Sequence, residues 1–202
     1  MNKNKIERKA SIIRETKETK IKVEINLDGK GESSVKTGIG FFNHMINQLC
    51  LFSRMDIKLE INGDLDVCDH HTIEDAGIVI GKCIKSALGN KAGISRYGNS
   101  IVPMDESLCM CIIDVCNRPF FSMDTEFVRE NINGFSTENV SEFFNALALN
   151  LGINLWFRML EGKNDHHKIE AMFKSFGVAL RNAIVRDLIF DSKEVLSTKG
   201  VL

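Results

Sequence analysis

Four of the five histidines in this 202-residue chain sit in two copies of one short motif. Asp69-His70-His71-Thr72-Ile73-Glu74 recurs as Asp165-His166-His167-Lys168-Ile169-Glu170, 96 residues later. On a helix, positions i, i+3 and i+4 share a face, so Glu74 can meet either His70 or His71. The two imidazoles of one copy point about 100° apart, because a helix has ~3.6 residues per turn. One such helix therefore cannot easily give both to one ion. Two of them facing each other can hold two ions, each ion taking histidine from both copies. A single HHxxE at a helix start is ordinarily a solvated or capping feature; its duplication turns the reading to a metal site. The Asp ahead of each pair suits an N-cap, or an acceptor that orients a ligating imidazole.

The elements that must position these heads repeat with them. Each head runs into an apolar stripe of helical period, Ile73, Gly77, Ile80, Ile84, Leu88 and then Ile169, Phe173, Phe176, Leu180, Ile184. The first such helix is expected to stop near Gly89-Asn90 and the second near 188. Ahead of the first head, 7–17 and 19–28 read as strands, 39–53 as a helix and 57–61 as a strand. Ahead of the second, 96–103 and 107–115 read as strands, Phe120 to Phe127 as a possible third, 137–152 as a helix and 153–160 as a strand. The Phe-Phe-Asn of residues 143–145 echoes that of 41–43 at an offset of 102. Each half is thus strand–strand–helix–strand–helix. The expectation is an α+β fold, internally duplicated with pseudo-twofold symmetry, with halves 1–92 and 93–202 in one compact unit.

A second ring of residues adds chemistry. His44 lies on the helix before the first head, where symmetry brings it near metal. Glu18 and Glu106 open matching strands at an offset of 88, with Asp105 beside the latter. Carboxylates at strand mouths near a dication suit proton transfer, and Glu18, Glu170 and Asp105 are the candidates. Arg96, Arg118, Lys174 and the tail Ser197-Thr198-Lys199 are candidates for phosphate, which Arg grips as a fork and Lys as a point charge.

Composition narrows the class. The chain is 44% apolar and 26% charged, as soluble globular proteins are. A formal net charge of −1 gives no field that favours nucleic acid or an anionic membrane. No run approaches a membrane helix or a signal-peptide core. The six cysteines form no CxxC pair and read as reduced thiols of a cytoplasmic protein. Neither a phosphate-binding GxxxxGK loop nor a dinucleotide glycine fingerprint is present.

Gly38-Ile39-Gly40-Phe41-Phe42-Asn43-His44-Met45, the two histidine heads, Pro103-Met104-Asp105-Glu106 and Ser197-Thr198-Lys199-Gly200 together resemble the imidazoleglycerol-phosphate dehydratase family of histidine biosynthesis. The resemblance runs from about residue 7 to the C-terminus. It implies a homo-oligomer of 24 subunits, with active sites between subunits and two Mn²⁺ per site. It implies His44, His70, His71, Glu74, His166, His167 and Glu170 as ligands. A histidine common in the family falls on Glu142, which becomes the eighth candidate, and Asn43 stands where Asp is common. It implies Glu18, Gln48, Arg96, Arg118, Lys174, Ser197, Thr198 and Lys199 around a small phosphorylated imidazole substrate.

The reaction implied removes water from imidazole glycerol phosphate and leaves imidazole acetol phosphate. The two cations are expected to hold the substrate ring while a carboxylate removes the neighbouring proton. Two other readings use the same ligands. One is a dimetal phosphate-ester hydrolase, and the other a metal-dependent assembly protein without catalysis.

Overall fold

The computed structural model describes residues 7–186, 194–200 and 202. The first half runs β1 (Lys9–Glu15), β2 (Thr19–Asn26), β3 (Ser33–Lys36), α1 (Gly40–Ser53), β4 (Asp56–Gly63) and α2 (His70–Leu88). The second runs β5 (Tyr97–Met104), β6 (Ser107–Asp114), β7 (Phe120–Asp124), the short hairpin β8 (Asn131–Ile132) and β9 (Phe135–Ser136), α3 (Asn139–Leu151), β10 (Asn154–Glu161) and α4 (Asp165–Ile184). The fold is α+β and duplicated, as expected.

The two sheets have one topology. Strand order is β1-β2-β4-β3 in the first and β5-β6-β10-β7 in the second. In each, the third strand runs parallel to the fourth while the remaining pairs are antiparallel. A parallel pair requires a crossover, and α1 and α3 supply it. Inward side chains alternate along β2 as Ile21, Val23, Ile25 and along β6 as Cys109, Cys111, Ile113, all buried. The helices pack on those inner faces and cross between halves, α1 against α4 and α2 against α3. No helix among the described residues is long and apolar enough to cross a membrane.

Several expectations need correction. Each half has a third strand before its first helix. β3 was missed because Ser33-Ser34-Val35-Lys36 carries one apolar residue and no alternation. The β8–β9 hairpin was also missed, being two residues a side. Within the described residues α4 ends at Ile184, because Val185 turns to extended backbone (φ −60°, ψ 139°); residues 187 and 188 lie outside the described chain.

The helix register differs from the Phe-Phe-Asn alignment. Gly81 in α2 fits against Leu147 O, Asn150 Cβ and Leu151 N. Its counterpart Gly177 in α4 fits against Leu49 O, Phe52 Cβ and Ser53 N. The α1 and α3 members of each matched pair are 98 residues apart, one helical turn from the offset of 102. A Cβ at either glycine would press on helix backbone, so these contacts lock the crossing. The consequence is chemical: His44 corresponds to Glu142, and Gln48 to Ala146.

Candidate metal centre

α4 opens the better-formed of the two heads. Asn164, not Asp165, caps it by accepting from the His166 backbone N–H (2.9 Å). One turn on, Glu170 Oε2 lies 3.1 Å from His166 Nε2. α1 brings His44 Nε2 to 3.3 Å from the same oxygen. These donors all fall within 4.8 Å of one another. Ligands at about 2.0–2.2 Å from one ion stand roughly 3 Å apart when adjacent, so the set fits around a divalent cation. The other Glu170 oxygen accepts from Lys174 Nζ at 2.7 Å. Burial pushes the Glu170 carboxyl up, but Lys174 and the two imidazoles hold it below its ordinary value. It stays ionised, as a ligand must.

The second histidine of each pair is held from behind. His167 donates from Nδ1 to Glu106 Oε2 (2.6 Å), with Nε2 3.6 Å from Asp105 Oδ2. His71 donates from Nδ1 to Asp64 Oδ2 (3.0 Å), with Nε2 3.9 Å from Glu18 Oε1. An ionised carboxylate only accepts, so it fixes the proton on Nδ1 and leaves the Nε2 lone pair outward for a ligand. The hydrogen bond from His167 pulls the Glu106 carboxyl down to about 2. In return Glu106 raises His167, and Asp64 raises His71, above the ordinary 6.5. His70 donates from Nδ1 to Asn139 Oδ1 (3.1 Å) and keeps Nε2 3.6 Å from Glu74 Oε2.

A pH dependence follows. In the metal-free protein His71 and His167 stay protonated to higher pH than an ordinary imidazole, and ligation must expel those protons. Metal affinity should therefore climb with pH through 6.5 and beyond. Asp64→Asn or Glu106→Gln should move that climb to lower pH and weaken the plateau about 10- to 100-fold. Calorimetric metal titrations of the metal-free protein at stepped pH read both effects.

The aspartates before each pair neither cap nor orient a histidine, contrary to expectation. Asp69 accepts from Ser136 N (2.6 Å) and Ser136 Oγ (2.9 Å). Asp165, almost fully buried, accepts from Val128 N (2.9 Å) and Arg129 N (2.7 Å) and pairs with Lys168. Both thus grip one segment, 128–136, that straps across the two heads. Phe135 on this strap packs edge-on to Phe41, whose ring lies 5.0 Å from that of His166. Asn43 Oδ1 accepts from Thr37 N (3.0 Å) and Thr37 Oγ1 (2.8 Å), a task an Asp oxygen would do equally.

The first head is built in the same frame. Glu142 is half-buried on α3, and stands to His70 and Glu74 as His44 stands to His166 and Glu170. Among the described residues only the second head draws three donors into a span of 4.8 Å. Asp64 and Asn139 were not found from the sequence. Asp64 follows a strand-ending Asn-Gly, which reads as a turn, and Asn139 carries no spacing signal.

The phosphate candidates divide into two places. Lys174 adjoins the second head through Glu170, and Gln48 lies one turn beyond His44. Arg96, Arg118 and the tail gather at the far ends of the helices. Arg96 is bidentate on Asp114 (2.7 and 3.1 Å) and donates to Leu196 O in the tail (2.8 Å). The exposed Arg118 follows Asn117, whose side chain meets Lys91 and the carbonyl of Leu202. The Arg96 backbone is bonded to Ala183 O, 17 residues along α4 from His166. At ~1.5 Å per residue that separation is about 25 Å.

Comparison with known proteins decides the family. Residues 37–180 match the family described as imidazoleglycerol-phosphate dehydratase. The chain belongs to the imidazoleglycerol-phosphate dehydratase family. It is accordingly a hydro-lyase of histidine biosynthesis. Imidazoleglycerol-phosphate dehydratase of Clostridium acetobutylicum is 52% identical over 193 residues, covering 96% of this chain and 97% of its own. A Clostridium botulinum (strain Alaska E43) dehydratase is 51% identical over the same length. The crystal structure of the Staphylococcus aureus dehydratase superposes with a TM-score of 0.81 at 34% identity, covering 89% of this chain and 99% of that one. That of Pyrococcus furiosus, in complex with (S)-C348, gives 0.81 at 34%, covering 95% and 100%.

Proposed function

We propose that this chain dehydrates imidazole glycerol phosphate to imidazole acetol phosphate in a site that holds two divalent cations, Mn²⁺ by family likeness, and is shared between copies. The observation that carries the metal reading is the convergence of His44 Nε2, His166 Nε2 and Glu170 Oε2. His44, His166 and Glu170 would hold one cation; His70, Glu74 and Glu142 would hold the other. His71 and His167 turn their free Nε2 away from these sets, and suit ligation of an ion held by a neighbouring copy. Bound there, a cation supplies Lewis-acid charge and a template for the substrate ring.

The separation within one chain supports sharing. An imidazole carrying a three-carbon phosphate is less than half the ~25 Å that divides His166 from Arg96 along α4. If Arg118, Arg96, Ser197, Thr198 and Lys199 grip the phosphate while a head holds the ring, they come from different copies. A closed assembly, 24 subunits in the family reading, puts every chain in both roles.

The chain's own groups divide the remaining work. Glu18 is exposed, faces the free nitrogen of His71 and is unconstrained enough to move a proton. Glu170 is committed to Lys174 and two imidazoles, which suits a ligand better than a shuttle. Asp105, beside His167, is the equivalent exposed carboxylate at the second head. Five of the six free cysteines are buried, which fits a reducing cytoplasm.

The test is product analysis with imidazole glycerol phosphate and added Mn²⁺. Imidazole acetol phosphate is expected. Released inorganic phosphate would instead establish a hydrolase, and metal-dependent assembly without turnover a structural role.

Glu142 carries its own prediction. Its carboxylate replaces imidazole nitrogen with oxygen, which a hard ion accepts. Glu142→Gln should lower the metal content after dialysis from two ions per subunit toward one, and Glu142→His should restore it. Two ions and full activity in Glu142→Gln would assign the position to the surface.

A further inference from the structure

The two sheets are alike in topology and opposite in what they show to solvent. The outer face of the first presents Lys20, Lys22 and Glu24 on β2 and Lys58 and Glu60 on β4, and its one large exposed hydrophobic is Ile13. The outer face of the second presents Tyr97, Ile101, Ile112, Phe120 and Trp156 to solvent. These residues are contiguous. Trp156 sits in register with Ile112 on β6, and Phe120 leans on it with ring centroids 5.0 Å apart. Arg158 lays its guanidinium over the same indole, 5.2 Å from the centroid. The first sheet is an internal control: a sheet of this design can be fully polar outside. Resting on the reading that the site is shared between copies, we infer that the outer face of the second sheet is a docking surface for a second copy of this chain.

Size and position name the occupant. Four strands ~4.8 Å apart and about eight residues long at ~3.4 Å each make a face of roughly 500 Å². Paired with an equal area, that reaches the ~1,000 Å² of a specific interface, and a contiguous apolar patch of this size marks an interaction site. The face also adjoins the basic cluster. The Arg96 guanidinium stacks on the Tyr97 ring at 4.8 Å, and Phe120 lies two residues after Arg118. That cluster must itself meet another copy's metal head if the site is shared. A copy docked on the sheet therefore extends a contact the chemistry already needs.

Trp156 is the sole tryptophan, so the intact protein reports on this face directly. In the assembled wild type its emission should be blue-shifted and its acrylamide quenching several-fold weaker than that of free tryptophan. Ile112→Glu should cut the particle mass from light scattering at least twofold with the far-ultraviolet circular dichroism retained, while Ile13→Glu on the first sheet should not. Full acrylamide access to Trp156 in particles larger than a monomer would overturn the proposal, as would unchanged mass in folded Ile112→Glu. Protection of Trp156 only after phospholipid vesicles are added would replace the second copy with a lipid surface and overturn it too. A monomeric wild type would sink both this inference and the shared site. Intact particles with protected Trp156, but no rescue between complementary inactive variants, would sink the shared site alone.

Discussion

Activity should return when His166→Ala and Arg118→Ala proteins, each inactive alone, are dissociated, mixed and reassembled. His166 supplies a nitrogen beside Glu170 Oε2 at the start of α4. Arg118 is exposed near the opposite ends of the helices, beyond Asn117, which is bonded to the Gly152 carbonyl after α3. If one site draws its metal head from one copy and its phosphate grip from another, a mixed assembly contains some sites built from two undamaged contributions. Random mixing gives about a quarter of sites intact, because each contribution is undamaged half the time. Loss of a charged phosphate contact is worth about 1.5–3 kcal/mol, or roughly 10- to 150-fold in kcat/KM. The rise from either parent to a quarter of wild-type activity is therefore large. Arg118 is the better partner for the mixture than Arg96, whose guanidinium also holds Asp114 and the tail. The measurement is kcat/KM of the mixture against each parent at equal total protein. A mixture no more active than the mean of its parents would place the whole site in one chain.

The duplication was legible because its chemistry and its core repeat together. The head and the stripe behind it keep the same 96-residue offset, and both sheets followed from alternation in β2, β4, β6 and β10. The pairing of His44 with the second head, across the two halves, was not. α1 packs on α4 rather than on α2, a tertiary choice that local periodicity does not encode. The Phe-Phe-Asn echo slipped by one turn for a related reason. A helix repeats its apolar stripe every ~3.6 residues, so a shift of four keeps buried positions buried. Only the glycine contacts of Gly81 and Gly177 fix the register and set Glu142 opposite His44. Asp64 and Asn139 escaped because an orienting acceptor needs reach in space, not spacing in sequence. Asp69 and Asp165 misled because their neighbours suggested capping, while their carboxylates hold the strap at 128–136 instead.

The carboxylate that joins both halves should be the least replaceable group in the chain. Glu170 is one turn from His166, receives His44 from α1, and keeps its other oxygen on Lys174. Its side chain is only 6% exposed. Glu170→Gln preserves shape but removes the charge that faces the cation and Lys174. It should empty the second head of metal after dialysis and reduce kcat by at least a thousandfold, since a lost ligand exceeds the ~10- to 100-fold of a lost supporting hydrogen bond. Lys174→Met separates two roles that Glu170→Gln merges. It leaves the carboxylate in place and removes the cation that outweighs the effect of burial. An unpaired buried charge costs about 3–5 kcal/mol, so metal-free Lys174→Met should melt well below the metal-free parent. Glu170 should then be protonated to higher pH, and a divalent cation should restore most of the lost stability by taking the place of the ammonium. The difference in Tm with and without Mn²⁺ should accordingly be larger in Lys174→Met than in the parent, and close to zero for the second head in Glu170→Gln. An equal metal-induced rise in all three proteins would show that the cation does not bind at Glu170.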